Sequence, residues 1–283
     1  MHWPSKLGGV VILIVAGLLA SFSLSWPIRD AHVCGLTVAL SGRTLLGLVL
    51  ILLAWTGADL VVKQCSQGSS GSSGFSLTHS ILPTVLTGAS WMVLGQLETT
   101  NAQVLGALGS GGLLVLIISS ECHLITWTGW SRAAVRQFLL LMVYPVVMLA
   151  YLGIRRAAFT VCTSAAGVAG VSSLLALKLL GDDDPVLPQR FPGPEALAEA
   201  AARVVSHRWL RALAVGALVG LLACPLYHWA VSPLVCSSVL AVTLYVLVGV
   251  AGHLLSGTLT RRMALEYVVV GAVALALLLP RVR

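Results

Sequence analysis

Residues 44–62 read TLLGLVLILLAWTGADLVV, a continuous apolar stretch whose one charged residue is Asp59. An α-helix rises about 1.5 Å per residue, so a stretch of this length crosses the roughly 30 Å hydrocarbon layer of a bilayer. Its apolar residues do not alternate with polar ones as in a barrel strand, and a helix satisfies its own backbone hydrogen bonds inside lipid. The stretch therefore predicts a transmembrane helix.

Eight further apolar blocks occur along the chain. They cover residues 8–26, 77–97, 104–120, 137–154, 157–180, 212–230, 234–255 and 263–279. Together with 44–62 they predict an all-α fold, a polytopic transmembrane helical bundle of about nine spans. A count of eight stays open, because the two blocks beside the polar stretch 96–103 are separated by Gln, Glu, Thr and Asn residues.

The first block, 8–26, stands where a secretory signal would stand. Its apolar stretch is longer than the usual signal core of about 7 to 15 residues, and Trp26-Pro27 is a poor cleavage site. We therefore expect a retained membrane anchor. Cleavage after Ala20 or Ser23 is the alternative.

The composition excludes a water-soluble domain of any size. Hydrophobic residues make up 58% and charged residues 10% of the 283 residues, whereas a soluble domain carries about 25% charged residues. We expect residues 1–283 to form one integral membrane domain whose partners are the lipid bilayer and membrane-protein subunits. The net charge of +7 does not indicate a nucleic-acid partner, because the Lys and Arg residues are scattered rather than clustered.

The distribution of Lys and Arg between the two sides of the predicted bundle indicates its orientation. The side of the amino terminus carries eleven, namely Lys6, Lys63, Arg132, Arg136, Lys178, Arg190, Arg203, Arg208, Arg211, Arg261 and Arg262. The opposite side carries six, namely Arg29, Arg43, Arg155, Arg156, Arg281 and Arg283. Because cytoplasmic loops carry the excess of basic residues, we expect the amino terminus in the cytoplasm.

Two connections differ from tight turns. Residues 63–76 contain a Ser/Gly-rich run and are interpreted as a flexible cytoplasmic loop. Residues 181–211 are interpreted as a cytoplasmic loop that contains an amphipathic helix beginning at Pro194, resting on the inner leaflet. Docking of that helix onto a partner protein is the alternative.

Ionisable residues recur at the predicted cytoplasmic ends of the spans. They are Asp59, Glu121, His123, Lys178, His253, Arg261, Arg262 and Glu266. Charges near lipid are costly and mark candidate sites. The favoured interpretation is interfacial ion pairing, such as Asp59 with Lys63 or Arg262 with Glu266, since each pair is four residues apart on a helix.

No catalytic or metal-binding residue can be assigned from motifs. Adjacent residues of a helix point in different directions, which argues against a metal site at Glu121-Cys122-His123, and no HxxxH or ExxH spacing occurs. The six cysteines lack CxxC spacing and are interpreted as small apolar residues rather than ligands. The identity of any cofactor stays open.

Pairs of small residues four positions apart predict close helix packing. They are Gly106 with Ser110, Ala166 with Gly170, and Gly216 with Gly220. Helices in lipid associate through such small residues because these let the two backbones approach closely.

Residues 81–83, the fourth span ending in Glu121, and above all residues 245–267 are similar to an uncharacterised bacterial family. It is a family of polytopic membrane proteins, mainly from Chloroflexota, with a domain of unknown function. The resemblance covers most of the chain from the second span onward, with the Asp- and Pro-rich insertion after Gly181 and the Ser/Gly loop as departures. It implies a bacterial inner-membrane location and supplies no catalytic residues.

Three functions fit these features. A scaffold or accessory subunit of a membrane complex is slightly favoured, because packing positions are present and site chemistry is not. A transporter of a small solute or lipid is the alternative, without ion-coupling charges at the midplane. An enzyme acting on lipid-linked substrates ranks last, and it requires Asp59, Glu121 and Glu266 to converge on one cleft.

Overall fold

The computed structural model describes residues 3–23, 29–33, 36–40, 42–66, 78–126, 130–157, 160–181, 194–228, 232–255 and 260–278. Within these ranges the chain forms nine helices and two short strands. The helices are α1 Trp3–Ser23, α2 Gly42–Ser66, α3 Thr78–Leu94, α4 Thr100–Thr126, α5 Trp130–Arg156, α6 Val161–Gly181, α7 Pro194–His228, α8 Pro233–Leu255 and α9 Arg261–Leu278. Helices thus cover all nine predicted apolar blocks.

Seven helices of the described residues are long and apolar enough to cross a membrane, namely α1, α2 and α4–α8. Helices α3 and α9 do not meet these requirements of length and apolar composition. With 17 residues, α3 rises only about 25 Å, and α9 begins with Arg261 and Arg262 and carries Glu266 in its second turn. The prediction of several helices long and apolar enough to cross a membrane is confirmed. Their insertion into a bilayer and the count of nine spans stay predictions.

A β-hairpin lies between α1 and α2. Its strands are β1 Arg29–Val33 and β2 Leu36–Leu40, paired antiparallel with Arg29 opposite Leu40 and Val33 opposite Leu36. The hairpin is not among the elements that the sequence predicts. Each strand has five residues, which is too short for an alternating pattern to stand out.

The chain divides into two compact units, Met1–Gly153 and Ile154–Arg283. We call them the amino-terminal and carboxyl-terminal units. The boundary falls in the last turn of α5. The prediction of one membrane domain over residues 1–283 stays a prediction.

In the amino-terminal unit, sequential helices pack in opposite directions. Gly57 lies against Val10 and Gly17 lies against Leu50, so α1 and α2 run antiparallel. The same pattern relates α2 to α3, whose contacts include Trp91 against Gly47. As a result, the end of α2, the start of α3 and the end of α4 come to the same end of this unit.

In the carboxyl-terminal unit, α6 and α7 approach through small residues. A Cβ atom at Gly216 would lie 2.5 Å from the Ala169 carbonyl oxygen, and one at Gly220 would lie 2.9 Å from the Ala165 carbonyl oxygen. The predicted packing role of Gly216 and Gly220 is confirmed. We call this contact the α6–α7 seam, formed by Ala165, Ala169, Ser173, Gly216 and Gly220.

The predicted close packing at Ala166 and Gly170 is not found among the residues that the structure describes. Ala166 and Gly170 are exposed, and nothing lies within 4 Å of a Cβ atom built at Gly170. The seam uses Ala165 and Ala169 instead, one position earlier, and one position rotates the contact face by about 100°. A run of small residues allows several faces, and only the packing partner selects one. The third predicted pair is Gly106 with Ser110. Gly106 packs as predicted, against Leu94 at the end of α3.

Both predicted connections contain helix at one end. Helix α2 continues to Ser66, so the first residues of 63–76 are helical, and 67–77 lie outside the described residues. Residues 182–193 also lie outside them. From Pro194, where the sequence predicts a helix start, α7 continues without interruption to His228. The amphipathic segment and the seventh span therefore form one helix, and placement of its first part on the inner leaflet stays a prediction.

Candidate functional site at one end of the amino-terminal unit

Three side-chain contacts gather where α2 and α4 end and α3 begins. They are an ion pair between Asp59 and Lys63, a disulfide between Cys65 and Cys122, and a pair formed by His79 and Glu121. We call this region the polar end of the unit. It exists because α2 and α4 run in the same direction with α3 reversed beside them, which brings two helix ends and one helix start together.

The His79–Glu121 pair includes a fully buried carboxylate. His79 Nδ1 lies 2.6 Å from Glu121 Oε2. The Glu121 side chain has no exposed surface, and 20% of the His79 side chain is exposed. A buried carboxylate is costly without a partner, so this contact stabilises a group that an apolar helix would otherwise exclude.

The geometry of the pair defines what it can do chemically. When the carboxylate is ionised, His79 Nδ1–H donates to Oε2, and Nε2 is then the ring atom that can accept or exchange a proton. The imidazole is the partly exposed member of the pair. The pair is therefore able to bind and transfer a proton. This ability alone does not assign a function.

The Asp59–Lys63 pair matches the sequence-based prediction. Lys63 Nζ lies 2.6 Å from Asp59 Oδ2, four residues earlier on α2, and the side chains are 46% and 28% exposed. Exposed ion pairs of this kind contribute roughly 0 to 1 kcal/mol. The predicted pairing of Asp59 with Lys63 is present, and the interfacial position of Asp59 stays a prediction.

The Cys65–Cys122 disulfide corrects the interpretation of these cysteines as small apolar residues. Their Cα atoms are 5.7 Å apart, within the usual range for a disulfide. The two residues lie on different helices and 57 positions apart, so no local sequence spacing indicates the bond. Of the others, Cys162, Cys224 and Cys236 are free thiols, and Cys34 lies outside the described residues.

His79 is the residue that sequence analysis misses. It stands at the second position of α3, whereas Glu121 is near the end of α4, 42 positions away. The available signal was a histidine at the start of one apolar block and a glutamate at the end of another. Only the antiparallel packing of α3 against α4 turns that coincidence into a contact.

Of the other predicted polar residues, His253, Arg261, Arg262 and Glu266 belong to the carboxyl-terminal unit. The His253 ring lies 5.9 Å from the Tyr267 ring, and Tyr245 lies 5.8 Å from the same ring, as centroid distances. Gly249 makes room for this cluster, because a Cβ atom there would lie 2.5 Å from Tyr267 Cε1. Arg261, Arg262 and Glu266 are exposed. His253 is thus explained by packing between α8 and α9.

Two arginines of this unit bind backbone carbonyls. Arg155 Nη1 donates to the Tyr227 carbonyl oxygen at 2.9 Å, and its Cζ lies 4.3 Å from the centroid of the Tyr227 ring. Arg208 Nη2 donates to the Leu177 carbonyl oxygen at 3.2 Å. Both contacts join α7 to a neighbouring element, and they give these arginines a structural role.

The model of the family DUF5656, described as a protein of unknown function, matches residues 25–190 and 196–280. The chain belongs to this family. The predicted resemblance to a domain of unknown function is confirmed to that extent. The match breaks at 191–195, but it includes the Ser/Gly loop and residues 182–190, which the sequence analysis takes as departures. No curated protein and no solved structure matches the chain.

The polar end lies inside the region that matches DUF5656. The family assignment itself carries no reaction or ligand. Among the residues that the structure describes, no group of three or more His, Cys, Asp or Glu side chains is placed to hold a metal ion. What the polar end offers is a proton-holding pair beside a disulfide.

Proposed function

We propose that this DUF5656 protein is a multi-pass protein of a bacterial inner membrane, with its amino terminus in the cytoplasm, and that it serves as a scaffold or accessory subunit of a membrane complex. The length and apolar character of seven helices support a membrane location. The excess of Lys and Arg on the amino-terminal side supports the orientation.

The observation that carries the subunit role is a stripe of large exposed apolar side chains on α2. Leu45, Leu48, Val49 and Leu52 are each between 48% and 64% exposed, and their spacing places them on one helix face. Inside a membrane such a face meets either lipid or the helices of another protein. The known contacts of Asp59, His253, Arg155 and Arg208 are internal, which leaves apolar faces as the surfaces offered to a partner.

Purification from the native membrane in mild detergent, followed by mass spectrometry, tests the subunit role. We expect a reproducible protein partner in fixed stoichiometry. Leu48→Trp should weaken that association if α2 carries the contact, and Leu221→Trp on α7, where Leu221 is 67% exposed, is the matched control. Recovery of the chain alone from several mild detergents would contradict the proposal.

Transport of a small solute or lipid is the second candidate, and burial of the His79–Glu121 pair is the observation in its favour. A protonatable pair within an apolar unit can couple proton movement to a second solute. Proteoliposomes with an internal pH dye supply the test, because uptake linked to protons should acidify or alkalinise the interior. Loss of that signal in Glu121→Gln, with retained folding, would favour transport over a subunit role.

A further inference from the structure

We infer that Cys65 and Cys122 form a reversible dithiol–disulfide site that exchanges electrons with a dithiol of the cytoplasm, rather than a permanent cross-link. The inference goes beyond the subunit role. It rests on the orientation proposed above, with the amino terminus inside.

The sidedness of the polar end sets up the argument. Because α1 and α2 run antiparallel, the end of α2 lies on the same side as the start of α1. The basic residues place that side in the cytoplasm. Permanent disulfides are rare in the cytoplasm, where thioredoxin and glutathione keep thiols reduced, and those that form there are usually transient and either catalytic or redox-sensing.

The position of the bond suits exchange at one of its two sulfurs. Both cysteines are buried, with Cys65 7% and Cys122 2% exposed. Cys65 lies in the last turn of α2, next to its final residue Ser66, so a donor reaches the bond when that last turn opens. An incoming thiolate therefore reaches Cys65 first, and Cys122 is the leaving group. Because the two Cα atoms are 5.7 Å apart, the bond can re-form without movement of the backbone.

The exchange balances as two displacements. One thiolate of the donor attacks Cys65 Sγ, the Cys65–Cys122 bond breaks, and Cys122 leaves as a thiolate that takes up a proton. The second donor thiolate attacks the donor sulfur of the mixed disulfide and releases Cys65 as a thiolate, which also takes up a proton. Two electrons and two protons pass to the chain, and the donor dithiol becomes a disulfide.

The structural consequence falls beside the buried pair. Cys122 follows Glu121 directly in α4, so the covalent tie between α2 and α4 is formed or released one residue from the carboxylate that His79 binds. Oxidation fixes the end of α2 to α4, and reduction leaves the polar end held by noncovalent contacts. The redox state of the cytoplasm thereby determines whether α2 and α4 are covalently joined at the polar end.

The redox arm of the test uses the unaltered full-length protein in intact cells. Cells are quenched with acid, free thiols are alkylated with light N-ethylmaleimide, disulfides are reduced, and the new thiols are alkylated with the heavy reagent. Mass spectrometry then gives the oxidised fraction of each cysteine. We expect Cys65 and Cys122 to be mostly reduced in unstressed cells, mostly oxidised after diamide, and reduced again after its removal. Cys224, a free thiol in the structure, is the internal control.

A sidedness arm separates failure of the orientation from failure of the redox site. Ser5 is exposed at the start of α1. In a Ser5→Cys variant the introduced cysteine, followed in its own peptide by mass spectrometry because Cys162 is also exposed, should react in intact cells with a permeant maleimide but not with a sulfonated, impermeant one. Labelling by the impermeant reagent would place the polar end outside and make the disulfide a structural cross-link. Correct sidedness with a pair that stays oxidised, or that never oxidises, would overturn the redox site alone.

Discussion

The α6–α7 seam and the polar end hold helices together in opposite ways. At the seam, the absence of a Cβ atom at Gly216 and Gly220 lets the backbones of α6 and α7 come into contact, and every contributing residue is small and uncharged. At the polar end, α2, α3 and α4 are joined by a disulfide and a buried His–Glu pair. The seam depends on shape, so any added volume disturbs it. The polar end depends on polar and covalent contacts between particular side chains, so removal of one partner disturbs it.

Gly216→Leu should give the largest effect, because it breaks the seam. The new side chain would meet the Ala169 carbonyl oxygen and the Ser173 amide nitrogen, 2.5 Å and 2.8 Å from its Cβ, and backbone atoms cannot move aside. Overpacking of this kind costs about 3 kcal/mol or more. We expect the folded peak to be lost in size-exclusion chromatography. Gly170→Leu is the control, since open space surrounds that position, and equal losses in both variants would contradict the role of the seam.

The seam also shows how far sequence patterns reach. Gly216 and Gly220 can be recognised because their spacing lies within one helix, whereas the pair predicted on α6, Ala166 with Gly170, lies one residue away from the residues that form the seam. Residues 44–62 and the other apolar blocks predict helices directly, since lipid demands them. The His79–Glu121 contact and the disulfide join residues 42 and 57 positions apart, and such contacts depend on helix directions that no local pattern encodes.

His79→Ala breaks the polar end on its noncovalent side. The change leaves Glu121, which has no exposed surface, without its imidazole partner. Removal of one member of a buried pair costs roughly 3 kcal/mol, at the low end for such pairs. The free energy of unfolding in mixed micelles measures the loss. Addition of Glu121→Gln to His79→Ala should restore part of it, and a double variant as unstable as the sum of the singles would show that the two residues do not act as a pair.

Arg155→Gln tests whether a polar contact contributes to the stability of the carboxyl-terminal unit, which also contains the seam. The variant removes both the hydrogen bond to the Tyr227 carbonyl oxygen and the guanidinium from the Tyr227 ring. Contacts of this kind contribute about 1 kcal/mol, so we expect a modest fall in melting temperature. Arg156→Gln, on the neighbouring exposed residue, should leave the melting temperature unchanged, and matching falls would assign the effect to net charge instead.

Asp59→Asn should have the smallest effect, and this makes it the sharpest test of what belongs to the polar end. Its carboxylate is bound by Lys63 in a partly exposed pair on one helix, so loss of the charge should change the free energy of unfolding by less than about 0.5 kcal/mol. The same variant should leave the oxidation of Cys65 and Cys122 by diamide unchanged. A large loss of stability, or a shift in that oxidation, would show that Asp59 acts together with the buried pair and the disulfide. In that case the polar end would include the surface ion pair, and an enzymatic site built on Asp59 and Glu121 would regain support.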